Sequence, residues 1–307
     1  MPIRLALSCT LPRAVLALLG AASLQAAAAP ATTILFVGNS FTFGAPAGAA
    51  PLVQGYRPDS VSDLNGTHIG GVPALFKAFT VQAGLDYEVS LETAPGKGVD
   101  WHYEHKLATI ARPFDKVVLQ SYSTLDAARP GDPATLIKYS GLLAQAFHDK
   151  NPKVDVRLAA TWSRADQTYK PGGAWYGQPV YQMALDVRAG YDKAARASAL
   201  IGGVIPVGQA WNRAIASGLA DPNPYDGKDN GINLWAPDDY HASVYGYYLE
   251  ALTIFGNVTG RDPRSLGANE YVAKELGIGA DTATALQKVA AESQVAEVGH
   301  VAPDGRR

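Results

Sequence analysis

Cysteine is all but missing from this chain. Of 307 residues only Cys9 is one, and it lies in a stretch that reads as removable. Residues 1–13 carry Arg4 and Arg13 with no acid, and residues 14–24 form a short apolar core followed by Gln25 and an alanine run. That is the pattern of a secretory signal peptide, with cleavage expected near Ala28. The mature chain then has no thiol, which excludes disulfides, thiolate zinc sites and a cysteine nucleophile, although an exported protein enters a compartment that permits bridges.

Long apolar runs are also lacking. Spanning a bilayer takes about 20 consecutive apolar residues, and neither the signal core nor any later segment supplies them, so a secreted or periplasmic protein without a membrane span is expected. Excess positive charge is absent too. Taking Arg4 and Arg13 from the 26 basic side chains leaves 24 against 28 acidic ones, a net charge of −4. Such a surface gives nucleic acid or an anionic membrane no electrostatic reason to bind. The expected organisation is a signal peptide at 1–28, one domain at 29–295 and a disordered tail at 296–307. Composition says nothing of the oligomeric state.

What is present is an alternation of two periodicities. Short runs rich in valine, isoleucine and leucine at 33–37, 87–92, 116–120, 155–160 and 202–207 read as strands buried on both faces. Helical patterns fall between and after them, at about 72–84, 101–111, 133–149, 177–199, 208–217, 243–257 and 282–292. Repeated β-then-α units predict an α/β fold, a three-layer sandwich around a central parallel sheet of five strands, with its site at the carboxyl ends of the strands.

Ser40 sits at such an end, in Gly38-Asn39-Ser40-Phe41-Thr42, and roughly two hundred residues later comes Asp238-Asp239-Tyr240-His241. A serine hydroxyl is a poor nucleophile until a histidine takes its proton and a carboxylate orients that histidine. An acid three residues before a histidine places both on one side of a loop, and Asp239 competes with Asp238 for the role. A serine after a strand is also a common helix cap. The α/β-hydrolase elbow is ruled out, because Thr42 stands where its second glycine belongs.

The two blocks together resemble those of the SGNH/GDSL hydrolase superfamily, whose serine follows the first strand in a Gly-Asn/Asp-Ser context and whose last block is Asp-x-x-His. The resemblance implies a flavodoxin-like sheet, carboxylic ester hydrolysis through an acyl-serine, and no metal or organic cofactor. It implies Ser40 as nucleophile, His241 as base and Asp238, by the family spacing, as its orienting acid. It also implies an oxyanion hole made of the Ser40 amide, a glycine amide in the second block and an asparagine side chain in the third. Gly98, in Pro95-Gly96-Lys97-Gly98, is the expected glycine, with Gly96 as the fallback. The third block departs from the pattern, reading Val118-Leu119-Gln120-Ser121, so Gln120 is expected to donate from its longer carboxamide.

The glycine- and aromatic-rich loop at 169–181 follows the fourth strand, where loops shape substrate sites. Trp162, Trp175, Tyr176 and Trp235 are expected to form a platform for a sugar ring or acyl group, with Asn39 and Trp101 completing the substrate-binding set. Other constellations fail on spacing. His102-Tyr103-Glu104-His105 is neither His-Glu-x-x-His nor its inverse. A calcium loop begun at Asp221 meets Asp226 where glycine is required and Ile232 where a glutamate belongs. The substrate expected is a small-molecule or glycan ester. Carbohydrate O-deacetylation leads, and a lipase or thioesterase for longer chains, or a non-hydrolytic glycan-binding or acyl-transfer protein, is the alternative.

Overall fold

Ile34, Leu35, Phe36 and Val37 are each at most 1% exposed, as befits a central strand covered on both faces of its sheet. The computed structural model describes residues 1–2, 30–45 and 51–298. The chain divides after Pro30, and the second unit, which begins at Ala31, is the one described below. Beyond Met1 and Pro2 the expected signal peptide lies outside the described residues, as does the tail from 299 onward.

Six strands form one parallel sheet: β1 (Thr32–Gly38), β2 (Ser62–Asp63), β3 (Tyr87–Thr93), β4 (Lys116–Leu119), β5 (Asp155–Ala159) and β6 (Ile201–Ile205). Their order is β2-β3-β1-β4-β5-β6. The expected count of five is therefore corrected to six. β2 is a two-residue edge of Ser and Asp, too short and too polar to show strand periodicity.

The helices are α1 (Ser40–Phe43), α2 (Pro51–Gln54), α3 (Gly71–Gln82), α4 (Val99–Ile110), α5 (Ala134–His148) and α6 (Ala165–Tyr169). They continue with α7 (Gln182–Ala197), α8 (Val207–Ala216), α9 (Val244–Thr259), α10 (Tyr271–Glu275) and α11 (Ala280–Val298). Residues 296–298, expected in the tail, thus complete a helix. Alternate strand residues separate the two cores: Ile34 and Phe36 join α3, α8, α9 and α11 on one face, while Leu35 and Val37 join α4, α5 and α7 on the other. The result is the expected α/β/α sandwich. No helix among the described residues is long and apolar enough to cross a membrane.

One polar group sits badly in this core. Glu250 of α9 is buried, and its Oε2 has no partner among the described residues. Burial pushes its carboxyl well above the ordinary value. A raised folded-state value stabilises fully below the unfolded carboxylate value of about pH 4.3, and that contribution is lost as pH rises toward the folded value. Glu250→Gln, which needs no proton, is expected to gain melting temperature relative to wild type as pH is raised. Thermal unfolding at about pH 5 and about pH 8.5 checks this, and a pH-independent difference between the two proteins would contradict it.

Candidate active site

β1 ends in a turn that leaves no room for a side chain at its first position. A Cβ on Gly38 would lie 2.2 Å from Thr42 Oγ1 and 2.8 Å from Gln120 Oε1, so glycine alone lets the chain bend here. Asn39 then caps α1, its Oδ1 accepting from the Phe41 N–H at 3.1 Å. Ser40 is the first helical residue, 6% exposed, where a backbone N–H has no intrahelical acceptor.

The histidine arrives from the far end of the chain. The Ala236 N–H donates to the His241 carbonyl at 2.8 Å and the Asp239 N–H to the Ala236 carbonyl at 2.9 Å, closing a tight turn with Asp239 in the left-handed region at φ 59°. α9 starts directly behind it, capped by Ser243. Within the turn His241 Nδ1 lies 2.7 Å from Asp238 Oδ2, and Asp238 Oδ1 accepts from the His241 and Tyr240 N–H groups at 2.9 and 3.1 Å. Burial raises the Asp238 carboxyl, but the hydrogen bonds from His241 and Tyr240 outweigh it and hold the group below the ordinary carboxylate value. Asp239 faces the other way, 3.8 Å from Lys170 Nζ and hydrogen-bonded to Tyr225, and burial raises its carboxyl. Of the two candidates, Asp238 is the one that touches the ring.

Helix α9 ties the two turns together. The Tyr247 hydroxyl reaches the carbonyls of Ser40 at 3.1 Å and Ala45 at 2.5 Å. The Phe41 ring, next to the serine, lies 5.6 Å from the His241 ring. His241 Nε2 is buried and makes no hydrogen bond with a described residue. The ring nitrogen that Asp238 does not hold is therefore unspent.

The backbone amides of Ser40, Gly98 and Tyr122 carry no hydrogen bond to a described residue. Gly98 precedes α4, and the Tyr122 nitrogen is 3.5 Å from where a Gly98 Cβ would stand. Gly96 is an exposed turn residue at φ 66°. Gln120 does something other than expected. Its Oε1 accepts from the Asn39 N–H at 3.0 Å and the Thr42 hydroxyl at 3.1 Å, and its Nε2 donates to the Ser121 carbonyl. Because two donors face the oxygen, the orientation of the amide is fixed by its partners. The carboxamide braces the underside of the serine turn in place of facing an oxyanion.

No protein-family model and no curated protein matches the sequence. Solved structures do match. A DUF4886 family protein from Bacteroides uniformis superposes with a TM-score of 0.55 at 18% identity, over 86% of this chain and 95% of that one. A Parabacteroides merdae protein named as a GDSL-like lipase superposes with a TM-score of 0.50 at 17% identity, over 75% and 96%. The chain has the SGNH/GDSL hydrolase fold.

On this SGNH scaffold the expected tryptophan platform does not exist. Trp162 is fully buried between Phe41, at 4.2 Å, and Trp211, at 4.6 Å. Trp235 is buried with its Nε1 on the Ser163 carbonyl, and Trp175 is buried with its Nε1 on Asp186. Each indole N–H has a hydrogen-bond acceptor, which is what lets a tryptophan leave the surface. Asn39 is also excluded from substrate contact, since its Nδ2 is spent on the carbonyls of Lys97 at 2.8 Å and Ser121 at 3.2 Å. Trp101 stays half-buried on α4, stacked on His105 at 4.9 Å. Tyr176 is exposed.

Two further groups beside these residues escaped sequence reasoning. Glu92 on β3 and His102 on α4 form a buried pair, Oε2 to Nδ1 at 2.5 Å, which pins the helix that Gly98 opens. Arg164 and Tyr240 stack beside His241. A buried Glu on a strand is a signal in hindsight. Nothing in Ser163-Arg164-Ala165 announces its partner almost eighty residues away.

Proposed function

We propose that this protein is an exported serine esterase that cleaves carboxylic esters through an acyl-serine intermediate. The observation that carries this reading is the Asp238–His241 hydrogen bond, with the opposite ring nitrogen buried, unspent and next to the serine turn. In the proposed reaction Ser40 Oγ attacks the carbonyl carbon as its proton passes to His241 Nε2. The Ser40 and Gly98 amides receive the oxyanion, and the free Tyr122 amide beside Gly98 stands in for the donor that Gln120 does not supply. Collapse expels the alcohol, which takes the proton back from His241. A water then repeats the sequence and releases the acid.

Short-acyl esters of a glycan are the substrates proposed. With the tryptophans buried, support comes from half-buried Trp101 beside Gly98 and from Tyr225, exposed and hydrogen-bonded to Asp239 of the histidine turn. Such rings give sugar faces an apolar seat. Hydrolysis of 4-nitrophenyl acetate, butyrate and palmitate, with mass spectrometry of the Ser40 peptide, tests the proposal. Acetate is expected to turn over fastest, with transient acylation of Ser40. Preference for palmitate would mark a lipase or thioesterase, and an unacylated Ser40 would end the serine mechanism.

A further inference from the structure

A proton-accepting histidine must be aimed as well as charged, and the loop bearing His241 has few apolar side chains of its own to do the aiming. Asp238 is exposed and Asp239 sits in a left-handed conformation that is costly for a non-glycine residue. Beyond its own hydrogen bonds, the turn is held from the neighbouring β5 loop at three points. The Asp166 N–H donates to the Asp239 carbonyl at 3.2 Å, and Trp162 Nε1 donates to the Tyr240 carbonyl at 3.3 Å. The Arg164 guanidinium lies 3.7 Å from the centroid of the Tyr240 ring, whose own centroid is 4.0 Å from that of His241.

Arg164 is itself immobilised. Its Nε and second terminal nitrogen form a bidentate pair with Asp166, at 3.0 and 2.7 Å, and its remaining terminal nitrogen reaches Ser123 Oγ at 3.2 Å. Only 11% of its side chain meets solvent. Ser123 lies one residue past the Tyr122 amide, so a single planar cation spans the β4 loop, the β5 loop and the histidine turn. A guanidinium suits that task because it stacks on a ring with its face while bonding a carboxylate with its edge, which an ammonium does not do.

We infer that Arg164 is a positioning residue that sets the orientation of His241 through the Tyr240 ring, and that registers the histidine turn against the Tyr122 amide through Ser123. It touches neither substrate nor reacting atoms. Its removal takes the guanidinium from one face of Tyr240, leaving that ring Phe41 and Ser123 as contacts, and loosens with it the ring whose Nε2 is to face Ser40. Misplacement of a reacting group by about 1 Å costs on the order of 10²-fold in rate.

Two readouts test this, one resting on the esterase reading and one independent of it. Arg164→Ala is expected to lower kcat for 4-nitrophenyl acetate by about 10²-fold with KM nearly unchanged. Added guanidinium ion is expected to restore much of that loss, which a merely structural defect would not permit. Independently, the low-field NMR signal of the His241 Nδ1–H held by Asp238 is expected in wild type, broadened or lost in Arg164→Ala, and recovered with guanidinium. Tyr240→Leu, which leaves the Arg164–Asp166 pair intact, is expected to reproduce both defects without the rescue. A sharp, unshifted imidazole signal in both variants would overturn the inference whether or not the protein hydrolyses esters. A signal that responds as described in a protein inactive on every ester would leave the positioning role standing and remove the esterase reading.

Discussion

Ser40→Ala is expected to lower turnover of any ester substrate by roughly 10⁶-fold, as for loss of a nucleophile that works as a unit with its base. The protein should remain folded. Ser40 Oγ makes no hydrogen bond with a described residue, while the turn around it is held by Asn39, Gln120 and Tyr247 through groups that alanine keeps. The change in stability should therefore stay within about 1 kcal/mol. Steady-state hydrolysis together with thermal unfolding checks both halves. Residual activity close to wild type, in a protein of unchanged melting temperature, would place the chemistry elsewhere.

Asp238→Asn is expected to cost about 10⁴-fold in kcat, whereas Asp239→Asn should change it by only a few-fold. The two acids are neighbours in sequence, but the turn directs them apart, one onto the ring nitrogen and the other toward Lys170 and Tyr225. An asparagine at 238 can offer His241 Nδ1 its amide N–H, which favours the tautomer with the proton on Nε2 and leaves no base for the serine. Parallel kinetics of the two variants decide the assignment, and equal losses from both would remove the distinction drawn from geometry.

The layered fold was legible because its causes are local. Ile34 to Val37 read as buried on both faces from composition alone, and the strand-helix alternation followed from two hydrophobic periods. β2 was not legible, since two polar residues gain strand geometry only from pairing with β3. In the site, the Asp238–His241 contact is a three-residue relation and so could be anticipated from spacing. Gln120, Trp162, Trp175 and Trp235 could not be placed that way. Each has a polar atom whose partner lies in another segment, and whether that partner exists decides between interior and surface. Arg164 failed for the same reason: its role depends on Tyr240, Ser123 and Asp166 meeting at one point.

The stack of Phe41, Trp162 and Trp211 carries a consequence for spectroscopy. The two indoles are 4.6 Å apart and within 3° of parallel, and Trp162 also touches the residue after Ser40 and bonds the residue before His241. Coupled chromophores in that geometry share their excitation, so the near-ultraviolet circular dichroism and the emission of this protein sense displacement of either turn. The proposed acylation of Ser40 is thus expected to register optically, in real time, without a label.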